Sequence, residues 1–255
     1  MDISVVIIVS RHDAAGTERT IQSVTGIDAD ILLYDVTRTA IAEPIATRYG
    51  IRYATGEWDG YEQVRYRALL LAKFDWILML HTSEVPNKRL LQSIQKFNCK
   101  GPAIAYRIRF INLFEERSIR YGVWINDFRL RFGNRTCVKI EDRRLSEAIF
   151  SKQGVSIMKM RGAISHISIK NQAALQRKTI RDAMLSALKY YRLNRKPGMI
   201  RQAFSPLFSF VQSYFMKLGF MDGWSGFLFA SKSALYSRLK YKRLKELQAA
   251  VKKPI

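Results

Sequence analysis

Two carboxylates in this chain stand where an acid has chemistry to do. Asp35 closes the run Asp30-Ile-Leu-Leu-Tyr-Asp35. Glu84 closes the polar tail His81-Thr82-Ser83-Glu84 that follows Trp76-Ile-Leu-Met-Leu80. Apolar runs of this kind have the pattern of parallel strands covered on both faces. In sheets built from such strands, ligands bind in the crevice beyond the carboxyl ends. An acid there can accept from a ribose hydroxyl or a base N–H. Asp is also a good helix N-cap, so Asp35 carries two readings, ligand acceptor and cap.

The elements that must position these acids follow from the same periodicities. Ile3–Val9 is a continuous, largely β-branched run, the mark of a buried strand, followed by a polar loop from Arg11 to Gly16. A short helix is expected from Thr17 or Glu18 to Val24, and a second over Ala40–Tyr49, stopped by Gly50. Ile51–Ala54 reads as a third strand, Tyr61–Lys73 as a helix, and Trp76–Leu80 as the fourth strand. Strands alternating with helices imply βαβ units and a parallel sheet. After Pro86 a helix should reach about Phe97. The alternation in Ala103-Ile-Ala-Tyr-Arg-Ile-Arg-Phe and in Phe128-Arg-Leu-Arg-Phe predicts antiparallel strands with one wet face. From about Asn171 the chain reads as helical to its end, with breaks at Lys196-Pro-Gly and Ser205-Pro. No internal repeat or low-complexity tract is present.

The 255 residues suffice for one large domain, or one with an appendage. Lys and Arg number 43 against 21 Asp and Glu, for a net charge of +22. Residues 151–255 hold 21 basic and 3 acidic residues, so +18 of that excess lies in the back half. Such a balance implies an anionic partner, nucleic acid or an anionic membrane surface. Cys99 and Cys137 are too few and too far apart for a disulfide framework or a zinc module, and read as free thiols in a reducing compartment. The opening Met-Asp-Ile-Ser-Val-Val-Ile-Ile-Val lacks a cationic leader and reads as a strand. No run of about 18 apolar residues suggests a membrane span. The expected location is the cytoplasm.

The sequence resembles the family 2 glycosyltransferases, and among them the subgroup that builds the lipopolysaccharide core. The resemblance rests on many short motifs in order: the strand ending in Asp35, the helix ending Tyr49-Gly50, Trp58-Asp-Gly60 and Gln63-Val-Arg65. Ala105-Tyr-Arg-Ile-Arg109 with Asn112, Ile119-Arg-Tyr-Gly122, Trp124, Asp127 and Arg129-Leu-Arg-Phe132 follow. Leu145-Ser-Glu147, Gly162-Ala-Ile-Ser-His166, Lys178 and Lys217-Leu-Gly-Phe-Met-Asp-Gly223 complete the series. It implies an α/β fold of nucleotide-diphospho-sugar-transferase type (GT-A-like), a mixed sheet with helices on both faces, over residues 1–165. A basic, aromatic-rich helical region, 166–255, would follow.

It also implies an inverting transfer of a hexose or heptose from a UDP-, GDP- or ADP-linked sugar to a cell-envelope glycan. Asp35, Thr39, Arg65, His81, Ser83 and Glu84 would line the nucleotide-sugar site. In the family a divalent cation, Mg or Mn, held by an Asp-Ala-Asp tail, neutralises the leaving diphosphate. Here His81, Thr82 and Ser83 occupy that tail, and neither imidazole nor hydroxyl supplies a carboxylate's charge. The loop matching Asp-Ser-Gly-Ser-Thr-Asp reads Asp35-Val-Thr-Arg-Thr-Ala40. Ser146 replaces a histidine and Tyr66 an asparagine. Three readings stay open: arginines (Arg38, Arg65, and more weakly Arg11) take over the diphosphate, a metal site is rebuilt from His81, Glu84 and His166, or catalysis has been lost. A catalytically inactive homologue would bind glycan, lipid or a partner.

Asp127 or Glu147 would serve as general base. Either could instead pair with Arg129, Arg131, Arg143 or Arg144.

The back half carries nine aromatics between Phe204 and Phe229, interrupted by Lys217 and Asp222. Leu175, Met184, Leu188 and Tyr191 recur near helical spacing among Arg and Lys. This pattern fits helices in a membrane interface, with Trp224 inserted and Lys217 over anionic headgroups, or equally an aromatic core. Phe clusters without interleaved bases disfavour nucleic acid. A lipid-linked acceptor at the inner face of the cytoplasmic membrane suits such a surface.

Overall fold

The structure, a computed structural model, describes residues 2–10, 12–39, 41–98, 101, 103–115, 117–137, 154–169, 171–195 and 197–250. They form two compact units. The first comprises 1–111 and 127–166, the second 112–126 and 167–255. Residues 112–126, placed by sequence with the N-terminal domain, thus belong with the C-terminal helices.

In the first unit the strands β1 (Ile3–Val9), β2 (Asp30–Asp35), β3 (Arg52–Thr55) and β4 (Trp76–His81) form the parallel half. β2 and β4 flank β1 in parallel, and β3 pairs with β2. β5 (Glu84–Pro86), β6 (Ile104–Phe114), β8 (Phe128–Asn134) and β9 (Ser156–Ile169) add the antiparallel half. The full order is β3-β2-β1-β4-β8-β6-β9-β5. β7 (Arg117–Ile119) lies in the second unit and pairs with the last residues of β6.

Helices cover both faces. Ile3, Val5, Ile7 and Val9 pack with α1 (Ala14–Val24), α2 (Ala42–Tyr49) and α4 (Lys88–Gln95). Val6 and Ile8 pack with α3 (Tyr61–Leu70) on the other face. Every residue of β1 is buried, as the unbroken apolar run required. The mixed α/β class, the parallel half and the helical C-terminal region agree with the sequence reading.

Two local expectations are corrected. The polar tail after β4 is not only a loop: its last residue, Glu84, opens the short strand β5, which pairs with β9 opposite His166. The alternating wet face of β8 is not wet, because Arg131 is only 1% exposed. In β6 the alternation holds, with Arg107 and Arg109 exposed between Ile108 and Phe110.

The second unit packs α5 (Gln172–Arg192), α6 (Met199–Val211) and α7 (Gly223–Ala250). Pro206 does not break α6. The lost N–H costs one ladder bond, but packing along α7 outweighs it, with Ser209 bonded to Ser237 at 2.6 Å and Phe210 edge-on to Phe227. The chain turns only later, at Leu218, which is left-handed with φ 56°. The buried stripe of α5 is Leu175, Thr179, Ala183 and Ala187. Leu188, one of the apolar residues singled out by spacing, is exposed. Small residues every fourth position let α7 approach closely, and that contact decides which face is inside.

β9 crosses the start of α4 at Gly162, whose φ is +108° and whose missing Cβ leaves room for the Leu90 backbone. Asn87 fastens the same point: its Oδ1 accepts from Leu90 N, capping α4, and from Ala163 N. Gly162→Ala combines a strained φ with a backbone clash and should cost about 2–4 kcal/mol. A urea unfolding curve close to wild type would show that the contact is not rigid.

Candidate functional site

The site is assembled where β1, β2 and β4 end. Asp13 caps α1 through Oδ1, accepting from Gly16 N at 3.2 Å, while its Oδ2 accepts from Ser83 Oγ at 2.9 Å. Ser83 adopts φ +69° to reach this position, and a Cβ on Gly16 would collide with its hydroxyl. The tail after β4 is therefore seated on the first turn of α1. The Asp-Ala-Ala-Gly cap signal extends that helix three residues before its expected start.

At the end of β2, Asp35 is buried and caps a turn rather than a helix. Its Oδ1 accepts from Thr37 N and Thr37 Oγ1, both at 2.7 Å, and Tyr53 OH points at Oδ2 from 3.4 Å. Thr37 is bonded in turn to Thr39, and Thr39 to His12 Nδ1 at 3.0 Å. The N-cap reading of Asp35 does not hold: α2 begins later, and its cap residue, Ile41, makes no side-chain bond. Burial, then the charges of Asp35 and Glu43, raise the Tyr53 phenol above its ordinary range. Arg38, in the same loop at φ +60°, is exposed and paired with Glu57.

The end of β4 carries the strongest electrostatics. Glu84 and Arg131 form an ion pair at 2.8 Å with both side chains 2% exposed. The other Glu84 oxygen accepts from His81 N at 2.9 Å. Arg131 Nε and Nη1 are buried without a hydrogen-bond partner among the described residues, and the guanidinium lies 5.1 Å from the Phe110 ring centre. Arg65, buried on α3, reaches His81 Nε2 at 3.4 Å. A guanidinium only donates, so Nε2 accepts and the imidazole proton sits on Nδ1. Burial, followed by Arg131, Arg65, His166 and Arg129, holds the His81 pKa well below its ordinary value. His81 is a neutral residue inside a cationic cluster.

Asp127 is gripped by Arg129 in two parallel bonds, at 3.1 and 2.9 Å. This is the salt bridge anticipated as the alternative to its role as a base, and it also orients the carboxylate. His166 lies edge-on to Phe110, 6.4 Å between ring centres. Glu147, Arg143, Arg144 and Arg11 lie outside the described residues, and so does Ser146.

These residues do not fit a hard divalent cation. Ser83 Oγ is donated to Asp13, His81 is neutral and engaged by Arg65, and both Glu84 oxygens are occupied. Among the described residues no group of three His, Cys, Asp or Glu side chains could hold a metal ion, the set His81, Glu84 and His166 included. Sequence reasoning missed Thr37, Tyr53 and Asp13, and it offered Arg131 as a partner for Asp127 or Glu147 rather than for Glu84. The buried pairing was hidden by the assumption that every second residue of β8 faces water.

In the second unit, two motifs of the sequence prove to be parts of one clasp. The Asp222 carboxylate accepts from the backbone N–H groups of Arg120 and Tyr121, and Gly122 N donates to Lys217 O. Trp224 is exposed and stacked on Phe227, 5.4 Å between ring centres.

No family model matches the chain. A protein of Rickettsia bellii (strain RML369-C), described as an uncharacterized glycosyltransferase, is 23% identical over 260 residues, covering 94% of this chain and 85% of the relative. A crystal structure of glucosyl-3-phosphoglycerate synthase from Mycobacterium tuberculosis with Mn2+, UDP-glucose and phosphoglyceric acid superposes with a TM-score of 0.49 at 12% identity, over 77% of this chain and 81% of that one. The same enzyme with Mn2+, UDP and glucosyl-3-phosphoglycerate gives 0.47 at 12%, with the same coverage. The chain is thus similar to a glycosyltransferase along nearly its whole length.

Two outcomes follow from the cluster. Glu84→Ala leaves Arg131 a buried, unpaired charge and should cost about 3–5 kcal/mol in chemical denaturation; a loss under about 1 kcal/mol would mean that water reaches the pair. His81 gives a pH signature. Below its ordinary value of 6.5 the unfolded chain binds a proton that the folded site refuses. Stability therefore falls as pH drops through 6.5 toward the folded pKa, by up to about 1.4 kcal/mol per pH unit. His81→Gln should remove that one-proton slope, read from unfolding at about pH 7.5 and about pH 5.5.

Proposed function

We propose that this protein is an inverting glycosyltransferase that moves a sugar from a nucleotide-sugar donor to a cell-envelope glycan such as a lipopolysaccharide core. It would work without a metal, at the inner face of the cytoplasmic membrane. The observation that carries this reading is the guanidinium cluster of Arg65 and Arg131 around neutral His81, at the strand end where the sequence resemblance expects metal-binding acids. The relative described as a glycosyltransferase supports the reaction class.

In this reading the donor's nucleoside lies toward the Asp35, Thr37 and Thr39 hydroxyl network. An acceptor hydroxyl attacks the anomeric carbon and gives its proton to a carboxylate, Asp127 or Glu147. The nucleoside diphosphate leaves into the positive field of Arg65 and Arg131. In a buried, low-dielectric setting, fixed cations can stabilise developing charge as a metal does, and they need no reorganisation.

The membrane part of the reading rests on the second unit. Helix α6 has no buried residue, and Met199, Ile200, Phe204, Leu207 and Phe208 are all more than half exposed. Phe215, Met216, Met221 and Trp224 continue that apolar surface. No helix among the described residues is long and apolar enough to cross a membrane. Exposed apolar area of this extent marks an interaction surface, and the surrounding cations select anionic lipid, each contributing about 1 kcal/mol. A second reading, a non-catalytic homologue that binds glycan, lipid or a partner transferase, is favoured by one observation. Glu84, the one acid kept in the tail, is wholly committed to Arg131 and the backbone.

Calorimetric titration with UDP, GDP and ADP, in EDTA and in manganese, tests the donor site. Binding of one nucleotide that changes less than about twofold with metal is expected. Arg65→Met should weaken it about 10–100-fold, or about 1.4–2.8 kcal/mol. Binding that appears only with manganese would overturn the arginine mechanism, and none under any condition would favour the non-catalytic reading.

A further inference from the structure

Within the second unit, α5, α6 and α7 line an open cavity of about 740 Å³. Its walls are aromatic and aliphatic, with Trp124, Phe204, Phe208 and Phe229 among them. Phe204 and Phe208 belong to the exposed apolar face of α6, so the cavity borders the surface offered to lipid.

Its charged groups are mostly cationic. Lys178, Arg201, Lys217, Lys232 and Lys240 line it, against one acid, Asp182, which Lys178 already holds. Lys240 is nearly buried and has no ion pair among the described residues. Its ammonium sits over three tyrosines, 4.3 Å from the Tyr241 ring centre, 4.9 Å from Tyr190 and 5.7 Å from Tyr236. Tyr241 reports the local field. Burial works to raise its phenol, yet Lys240, hydrogen bonds to Ser205 and Lys240, and Arg201 together lower it below the ordinary range. Ser213 Oγ, also on the lining, is buried without a hydrogen-bond partner.

Apolar walls joined to a buried ammonium with no counter-ion among the described residues describe a receptor for an amphiphile with an anionic head. The acids of residues 151–255 cannot supply the counter-charge. Asp182 and Glu246 are paired with Lys178 and Arg243, and Asp222 caps backbone N–H groups. We propose that this cavity binds a single anionic glycerophospholipid molecule, its phosphate held by Lys240 and Arg201 and an acyl chain laid against Phe204, Phe208 and Phe229. The site would fix one lipid stoichiometrically, beyond adsorption of the helices to a bilayer. It rests on the reading that this unit meets anionic lipid, and it is independent of the transfer chemistry.

The test uses the full chain and monomeric short-chain lipid. Dioctanoyl phosphatidylglycerol, dioctanoyl phosphatidylcholine and inorganic phosphate are titrated separately, alongside sedimentation with phosphatidylcholine vesicles with and without phosphatidylglycerol. One-to-one binding of the anionic lipid, at least tenfold tighter than the zwitterionic one or phosphate, is expected. Arg201→Gln, an exposed position that should not disturb folding, and Lys240→Met should each weaken it severalfold, and Phe208→Asp should abolish it. Equal binding of both lipids, or phosphate binding as tightly as lipid, overturns the proposal. Adsorption to anionic vesicles without one-to-one binding overturns the cavity and leaves the membrane reading standing. One-to-one binding without vesicle adsorption does the reverse.

Discussion

The buried pair of Glu84 and Arg131 is the constraint on which the site depends. Two charges removed from water cost several kcal/mol each, recovered only when geometry and further hydrogen bonds are good. Here the carboxylate is fully used, by Arg131 on one oxygen and the His81 N–H on the other. The guanidinium is not, since Nε and Nη1 have no hydrogen-bond partner among the described residues and the group lies over the Phe110 ring. The pair thus fixes the turn from β4 into β5 and leaves a surplus of positive potential beside His81. Burial first, and then that surplus with Arg65, keeps the imidazole neutral, and a neutral imidazole can stand among arginines where a second cation could not.

Polarity at the strand end is consequently inverted relative to a carboxylate tail that binds a metal. A metal-binding tail is negative until its cation arrives and presents positive charge only afterwards. Here the positive charge is part of the protein and needs no loading. Two non-glycine residues in left-handed conformation, Arg38 and Ser83, lie in the loops that follow β2 and β4. Each costs roughly 1–2 kcal/mol, a strain that concentrates at functional loops. Ser83 is held by Asp13 and by the closeness of Gly16, so the cap of α1 and the shape of the tail are one device.

Most of the parallel half was legible because β1 and β4 are unbroken apolar runs, β2 has an apolar centre, and Gly50 stops α2. β2 was placed to the residue, and Gly50 takes the left-handed turn expected of it. β5 was not legible, since three residues ending in proline have no periodicity of their own and pair only because β9 passes alongside. Arg131 illustrates the limit of alternation. A strand position reads as wet when it holds arginine, yet a buried carboxylate from elsewhere in the chain turns the same position into core. The role of Asp35 was half legible: its place at the ligand edge could be read, whereas its partners Thr37 and Tyr53 depend on a turn and on a neighbouring strand. In α5 the periodic large residues were conspicuous, but the small ones between them set the packing.

The two units carry positive charge in physically different ways. In the first it is buried: Arg65 and Arg131 sit behind low-dielectric walls where salt screens little. In the second it is spread over exposed helices, with Asp182, Glu246 and Asp222 spent on internal contacts. Exposed charges are screened over about 8 Å at physiological ionic strength. An anionic lipid surface, if met by the second unit as proposed, would therefore be held through a salt-sensitive attraction plus salt-resistant apolar insertion of α6. A diphosphate in the first unit would be held by a field that salt hardly weakens. Lys240 belongs nearer the first kind despite its place in the second unit, because its nearly buried ammonium lies over three tyrosine rings. That placement would distinguish a cavity for one lipid, as proposed, from a cationic surface that any anionic bilayer would satisfy.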